Sequence, residues 1–296
     1  MNLVSKNKAI SRFTFSPPHT VDFQSKKVCF YPIIQRGLAD VINSPKTTEN
    51  VDWNRPIEVV IHLNPRTQKF GGVKMATFGK SAIPLFGGDN VNICAKQVYA
   101  TKRKDVMNAA GKMVTLEQKV PVDRASQLKQ LMDEINCLVW GQSLVSMTFQ
   151  FVDDRISVLG EPPLKIPKMS FVQAGLAKEE GDGQVYLIEQ LIDEKTEGLF
   201  RKYIHNAVAK PVIWGTHDDK DVVRADFLAF SQHLQYWKSS KLVFVSDYQG
   251  LFLLSTGSSL DSLILSTVLI PGRRRSSAHR STDCNCLVCK GHLHMR

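Results

Sequence analysis

Asp247 and Gln249 stand two residues apart, followed by Gly250, directly after the short apolar run Leu242–Val245. A carboxylate and an amide at that spacing, at the end of a buried strand, are oxygen donors suited to a divalent cation such as Mg2+. The same residues can also be read as a polar turn that closes a hairpin. A second candidate is Gly71-Gly72, between two strand-like segments. Paired glycines permit a tight turn and a close approach of main chain to phosphate, although an ordinary hairpin needs them too. The third is Lys96, inside the apolar strand Val91–Tyr99. An ammonium there must reach solvent or meet an anion, because burying it unpaired is costly.

The elements that must position these residues follow from periodicity. From Ala225 the apolar residues Phe227, Phe230, Leu234 and Trp237 recur at helical spacing. Ser239-Ser240-Lys241 breaks that helix before the strand Leu242–Val245. Ile57–Leu63 is rich in β-branched residues and predicts a strand. Arg124–Val152 predicts a long helix, with Leu128, Leu131, Ile135, Leu138, Val139, Val145, Phe149 and Val152 on one stripe. Glu134 lies near its middle, either as a solvated carboxylate or as a partner for Lys96. Gly160–Pro167 reads as a loop, and Val185–Ile188 as a strand leading into Glu189, Gln190 and Leu191. Lys102-Arg103-Lys104 reads as a solvated loop. Residues 1–55 read as an irregular lead-in in which Phe23–Ile34 packs as a short extended piece.

The chain has 296 residues, 43% hydrophobic and 22% charged, which suits two modest lobes or one large domain. No run approaches the length of a membrane span, and no secretion signal opens the chain. The expectation is a cytoplasmic protein, with no membrane partner and with the six cysteines as thiols. The formal charge of +10 invites a nucleic-acid reading. Half of that excess sits in Pro271–Arg296, which holds six Lys/Arg and one acid. That tail has no aromatic residue for base stacking, so nucleic acid ranks last among the partners.

Taken in order, the Gly-rich turn, Lys96, the acid at 189, Lys202 and Asp247-Tyr248-Gln249-Gly250 resemble the alpha-kinase family of atypical serine/threonine kinases. The wording FLAFSQHLQY followed by SDYQG is nearest its fungal members. The resemblance runs from Ile57 to Gly250, about two-thirds of the chain. It implies an α+β, two-lobed, protein-kinase-like fold with an ATP cleft between the lobes. The lobes would span 56–188 and 189–270, ahead of a basic Cys/His tail at 271–296. It implies transfer of the ATP γ-phosphate to Ser or Thr of a protein substrate, with Mg2+. Gly71 and Gly72 would cover the phosphates, and Lys96 would hold the α-phosphate. Main-chain groups of Glu189 and Leu191 would face the adenine. Phe200–Asn206 matches a family segment at Phe200, Lys202, Tyr203 and Asn206, with Ile204 in place of an asparagine. Lys202 would then contact phosphates, and Asn206 would support the metal or catalytic loop. Asp247 and Gln249 would hold Mg2+ and orient the substrate hydroxyl.

Two departures follow Gly250. The family continues into a Thr-Asp-Pro whose acid belongs to the active site, and Thr256 occupies that slot here. A hydroxyl cannot give Mg2+ the charge of a carboxylate, so an ATP-binding pseudokinase acting as an interaction module is the alternative. The family also ends in a His-x-Cys-Asn-x-x-Cys that holds structural zinc with a helix histidine. His233 fits the helix position, but Thr282 and Val288 replace two tail ligands. His233, Cys286 and Cys289 with one further histidine would complete a tetrahedral Zn2+ site, unless the tail is simply basic and disordered.

Overall fold

The computed structural model describes residues 22–191 (except 45, 108, 110, 164–165 and 182), then 201–205, 211–212, 219–253 and 262–271. Residues 219–220, 247, 249 and 251 onward are described through their main chain alone. Strand β1 is Gln24–Pro32, β2 is Ile57–Leu63, β3 is Lys69–Phe70 and β4 is Lys74–Ser81. The long β5 is Asn92–Met107 and β6 is Met113–Pro121. After a 36-residue helix come β7 (Lys168–Phe171), β8 (Ala174–Glu179) and β9 (Val185–Gln190).

Alternating side chains explain the first layer. In β2, Val59, Ile61 and Leu63 are buried while Glu58 points to solvent. Strand β2 pairs with β1 and with β4. From there the ladder runs β4–β5, β5–β9, β9–β8 and β8–β1, all antiparallel, and closes a six-stranded barrel. Closure removes the open edges that such strands would otherwise expose. Val28, Phe30, Ile61, Ile93, Ala95, Ala177, Tyr186 and Ile188 fill its interior. Two glycines let the strands close tightly. A Cβ at Gly79 would stand 2.2 Å from the carbonyl oxygen of His62, and one at Gly175 would stand 2.2 Å from the Phe30 ring.

Three sequence expectations meet the structure here. The lead-in contains β1, which matches the extended piece expected at Phe23–Ile34 but is paired on both sides as a full barrel strand. Lys102-Arg103-Lys104 is not a loop: β5 runs on beyond the barrel and pairs with β6 as a projecting hairpin. The boundary expected at 188/189 cuts β9, where Glu189 and Gln190 still pair with β5.

Helix α1 is Leu38–Asn43, and α2 is Arg124–Leu159. The Asp123 carboxylate caps the start of α2 by accepting the Ser126 N–H at 2.9 Å. Gly160, at φ +82°, ends it with a 2.8 Å hydrogen bond to the Ile156 carbonyl. The first half of α2 buries Leu131, Ile135, Leu138 and Val139 against Val98, Leu176 and Leu187 on the outside of the barrel. The second half buries Leu144, Val145 and Val152 in a separate core. That core belongs to a four-stranded sheet in the order β10 (Arg201–Lys202), β11 (Val243–Leu253), β12 (Ser262–Pro271), β7. Helix α3, Asp219–Lys238, covers it with Phe227, Leu228 and Leu234. Trp237 departs from the stripe read in the sequence. It is 65% exposed, with the Lys238 ammonium over its ring. Among the described residues no helix is long and apolar enough to cross a membrane. The architecture is α+β and kinase-like, with a barrel lobe, a four-stranded lobe and α2 packed on both.

Gly79→Ala is expected to lower the thermal midpoint, because the new methyl meets main-chain carbonyl rather than a movable side chain; overpacking of this kind costs about 1–3 kcal/mol. Gly72→Ala, where a Cβ meets nothing within 4 Å, is expected to leave the midpoint unchanged. Thermal unfolding followed by circular dichroism measures both.

Candidate active site

Gly71, Gly72 and Lys96 meet at one place. A pocket of about 340 Å³ is lined by Lys69, Phe70, Gly71, Gly72, Val73, Lys74, Ala76 and Lys96. The β4–β5 register builds it by setting Ala76 opposite Lys96 and Lys74 opposite Val98. Residues opposite one another share a face, so Lys74, Ala76 and Lys96 lie on the same side of the barrel wall. The β3–β4 turn is closed by a 2.8 Å hydrogen bond from Gly71 N–H to the Lys74 carbonyl. Its glycines do not adopt the left-handed conformation, which Gly87, Gly88 and Gly111 do. What they contribute is the lack of a side chain: Gly71 is held by Lys74 and by the Tyr99 hydroxyl, and a Cβ at Gly72 would meet nothing within 4 Å, so the main chain at Gly72 is accessible from the pocket. Three ammonium groups beside bare main chain make a lining suited to a polyphosphate.

Two ion pairs hold the lysines. Lys96 Nζ donates to Glu189 Oε1 at 2.7 Å, and Lys74 Nζ donates to Glu134 on α2. The sequence pointed Glu134 toward Lys96, and the structure redistributes the partners. Cys94 stands opposite Glu189 in the β5–β9 ladder, which brings that carboxylate within reach of the Lys96 side chain one pleat away. Burial pulls the Lys96 ammonium toward lower pKa. The Glu189 carboxylate more than offsets that, so the net shift is upward and the lysine is charged at neutral pH. Next to it, burial and then Glu189 push the Cys94 thiol up to about 12, so it is not a nucleophile.

The main-chain role expected for Leu191 needs revision. Its N–H already donates to the Asn92 carbonyl at 3.0 Å, and its carbonyl accepts from the Asn90 side chain at 3.4 Å. Glu189 is likewise paired on both sides, opposite Cys94 and Ala174. Its carboxylate, rather than its peptide, is what reaches the pocket-lining lysine.

The other candidates gather on the four-stranded sheet. Asp247-Tyr248-Gln249-Gly250 does not follow a strand; it lies within β11, where the pairing with β12 shifts register between Ser246 and Gln249. A bulge of this kind locally re-aims a strand. The β10–β11 ladder sets Lys202 opposite Gln249 and Arg201 opposite Gly250. Both Tyr203 N–H and Ile204 N–H donate to the Tyr248 carbonyl, at 2.8 and 3.2 Å. The segment around Lys202 is thereby tied to the segment around Asp247, although 44 residues separate the two positions.

Helix α3 anchors the bulge through a polar face that the apolar stripe hides. Gln232 Nε2 donates to the Val245 carbonyl at 2.8 Å, and Gln235 Oε1 accepts the Val245 N–H at 3.0 Å. Gln235 Nε2 and Ser231 Oγ both reach the Tyr248 hydroxyl, at 2.9 and 3.2 Å. Tyr248 is fully buried, and burial pushes its phenol up to about 12. Ser231, Gln232 and Gln235, at i, i+1 and i+4, are the signal in the sequence that could have revealed this grip.

His233 lies on α3 and is half-buried, and burial moves its imidazole below the ordinary pKa. Among the described residues no three His, Cys, Asp or Glu side chains lie together as a metal group. Cys286 and Cys289, with Phe200, Asn206 and Thr256, lie outside the described residues.

No protein-family model matches the sequence, and no curated protein matches it. The fold does match solved structures. A likeness to an alpha kinase from Entamoeba histolytica has a TM-score of 0.51 at 12% identity, over 83% of this chain and 78% of that one. The alpha-kinase domain of myosin heavy chain kinase A, in complex with ADP, superposes at a TM-score of 0.40 and 15% identity, over 81% of each chain. The first likeness identifies the architecture: this chain has the alpha-kinase fold. The second is too loose to add to that.

Lys96→Ala is expected to destabilise the fold, because it leaves Glu189, only 9% exposed, without its partner. With Lys96 itself 21% exposed, the loss is expected at about 1–3 kcal/mol in urea unfolding. Adding Glu189→Gln is expected to recover most of it. Because the Lys96 pKa is raised, its pairing contribution is complete below the unfolded value near 10.5 and fades as pH climbs through the raised one. The wild-type advantage over the double variant is therefore expected to be flat through neutral pH and to shrink only in alkali.

Proposed function

We propose that the chain is an ATP-dependent protein kinase of the alpha-kinase type, transferring the γ-phosphate of ATP to Ser or Thr of a protein substrate. The observation that carries this reading is the convergence of Gly71, Gly72 and Lys96 on one cation-lined pocket. In this reading Lys96, held by Glu189, takes the α-phosphate. The main chain at Gly72, which the absent Gly71 side chain leaves accessible, and the ammonium groups of Lys69 and Lys74 take the remaining phosphates. Lys202 adds a phosphate contact from the opposite lobe. Asp247 and Gln249 would hold Mg2+ and orient the substrate hydroxyl. Bound Mg2+ supplies charge neutralisation on the phosphate oxygens. The bond from the γ-phosphorus to its bridging oxygen breaks and ADP leaves with that oxygen, while a bond to the hydroxyl oxygen forms and the hydroxyl proton passes to water. Catalysis of this kind is positioning and electrostatics, which is why the bulge in β11 and its grip by α3 matter.

One observation favours a second reading. Thr256 stands where the family's acid would be, which would leave an ATP-binding pseudokinase. Transfer of label from γ-labelled Mg-ATP, to the chain itself and to a basic generic protein, separates the two. Wild type is expected to incorporate label. Lys96→Ala and Asp247→Ala are each expected to lose on the order of a hundredfold or more, the scale of one deleted electrostatic group. A folded wild type that binds ATP without transfer selects the pseudokinase, and Thr256→Asp then becomes the gain-of-function variant. A folded wild type that binds no ATP overturns both.

A further inference from the structure

Beyond Lys96 and Val98 the hairpin of β5 and β6 leaves the pocket and projects from the barrel lobe, with most of its described residues exposed. Beyond Val98 on the β4 side and Lys96 on the β9 side, β5 pairs only with β6. Strand β6 pairs with nothing else, so it is the outer edge of its sheet. From Ala100 to Val120, then, two strands run together with both outer edges open. A bare two-stranded ribbon is marginal in water, and a long open edge is a template for another strand.

The two faces of this ribbon differ in chemistry. The register Thr101↔Lys119, Arg103↔Glu117, Asp105↔Thr115 and Met107↔Met113 puts the odd-numbered residues on one face. That face satisfies itself. Arg103 Nε donates to Glu117 at 3.0 Å, Thr115 Oγ1 donates to Asp105 at 2.6 Å, and Lys119 sits 4.2 Å over the Phe70 ring. The other face carries Lys102 opposite Gln118, Lys104 opposite Leu116, Val106 opposite Val114, and Ala100 opposite Val120. It holds four β-branched or branched apolar residues and two ammonium groups, and no acid. Leu116, on this face, is 54% exposed. By strand alternation this is also the face of β5 on which Lys96 stands.

We infer that the β5–β6 hairpin is a docking surface for a protein partner, which adds along the free edge of β6 an extended segment that presents both acidic and apolar side chains on one of its two faces. The edge supplies main-chain hydrogen bonds, Leu116, Val114 and Val106 supply apolar burial, and Lys102 and Lys104 select for acids. A second copy of this chain is the competing occupant of the same edge, and self-association tells the two apart. Nucleic acid fits poorly too, because residues 100–120 contain no aromatic side chain. The inference stands apart from the kinase reading, since it needs no nucleotide.

The test is fluorescence anisotropy of the full chain with a short labelled peptide that repeats Glu-Ser-Val-Ser, so that Glu and Val fall on one face, beside the same peptide with Lys for Glu. Saturable binding of the acidic peptide is expected, with binding of the basic peptide at least about tenfold weaker, the order that two exposed charge pairs supply. Lys102→Glu/Lys104→Glu is expected to reverse the preference, with circular dichroism and ATP binding unchanged. Hydrogen exchange is expected to show new protection at alternate amides of β6 when peptide is bound. Equal affinity for both peptides, absence of saturable binding, or protection confined to other strands overturns the inference. So does concentration-dependent self-association in sedimentation velocity that Lys102→Glu/Lys104→Glu leaves intact, because the edge would then serve a second copy.

Discussion

Everything in this molecule hangs on one helix packed against two sheets. Helix α2 is 36 residues long, which at the usual rise is roughly 54 Å. Neither half of it could be removed without opening a core. Its first half closes the outside of the barrel, and its second half fills the interior of the four-stranded lobe. Because it is continuous and capped at both ends, the two lobes are held by a single stiff element. Glu134 sits on its barrel half and pairs with Lys74 from β4. A pocket-lining lysine is thus tethered to the same helix that carries the second lobe.

The barrel solves a different problem. A lysine within an apolar strand has to be paired, and pairing requires that an acid arrive on the same side of the wall. Closure supplies this. It forces β9 alongside β5, and Glu189 arrives next to Lys96 across 93 residues of sequence. The price of holding an ammonium at this depth is met by the carboxylate, and the cation stays charged. Burial alone would move it the other way, so the sign of its pKa shift records which effect wins.

The catalytic end of the proposal depends on hydrogen bonding more than on packing. Strand β11 breaks register between Ser246 and Gln249, and a break in a ladder leaves main-chain groups in need of partners. Gln232 and Gln235 take both main-chain groups of Val245, and the Tyr203–Ile204 segment takes the Tyr248 carbonyl. Buried amides of this kind specify one arrangement, because any slip leaves donors and acceptors unsatisfied. The strand that bears Asp247 is therefore held on both sides of the bulge.

Much of the framework could be read from the amino-acid order. Apolar periodicity marks α2 and α3, β-branched runs mark β2 and β9, and the helix break at Ser239-Ser240-Lys241 is visible as a loss of pattern. A lone lysine in an apolar strand must reach solvent or meet an anion, because burying it unpaired is costly. What the order of residues does not show is which anion. Glu134 and Glu189 are both plausible by type, and the choice between them is made by strand register, a property of chain closure over long separations. The same holds for Lys102-Arg103-Lys104, whose charge suggests a loop while pairing with β6 makes it strand. It holds too for Ser231, Gln232 and Gln235, which look like the wet side of an amphipathic helix until the bulge of β11 is laid against them. Local composition determines what each segment can become; only tertiary structure decides which polar groups must be satisfied, and by whom.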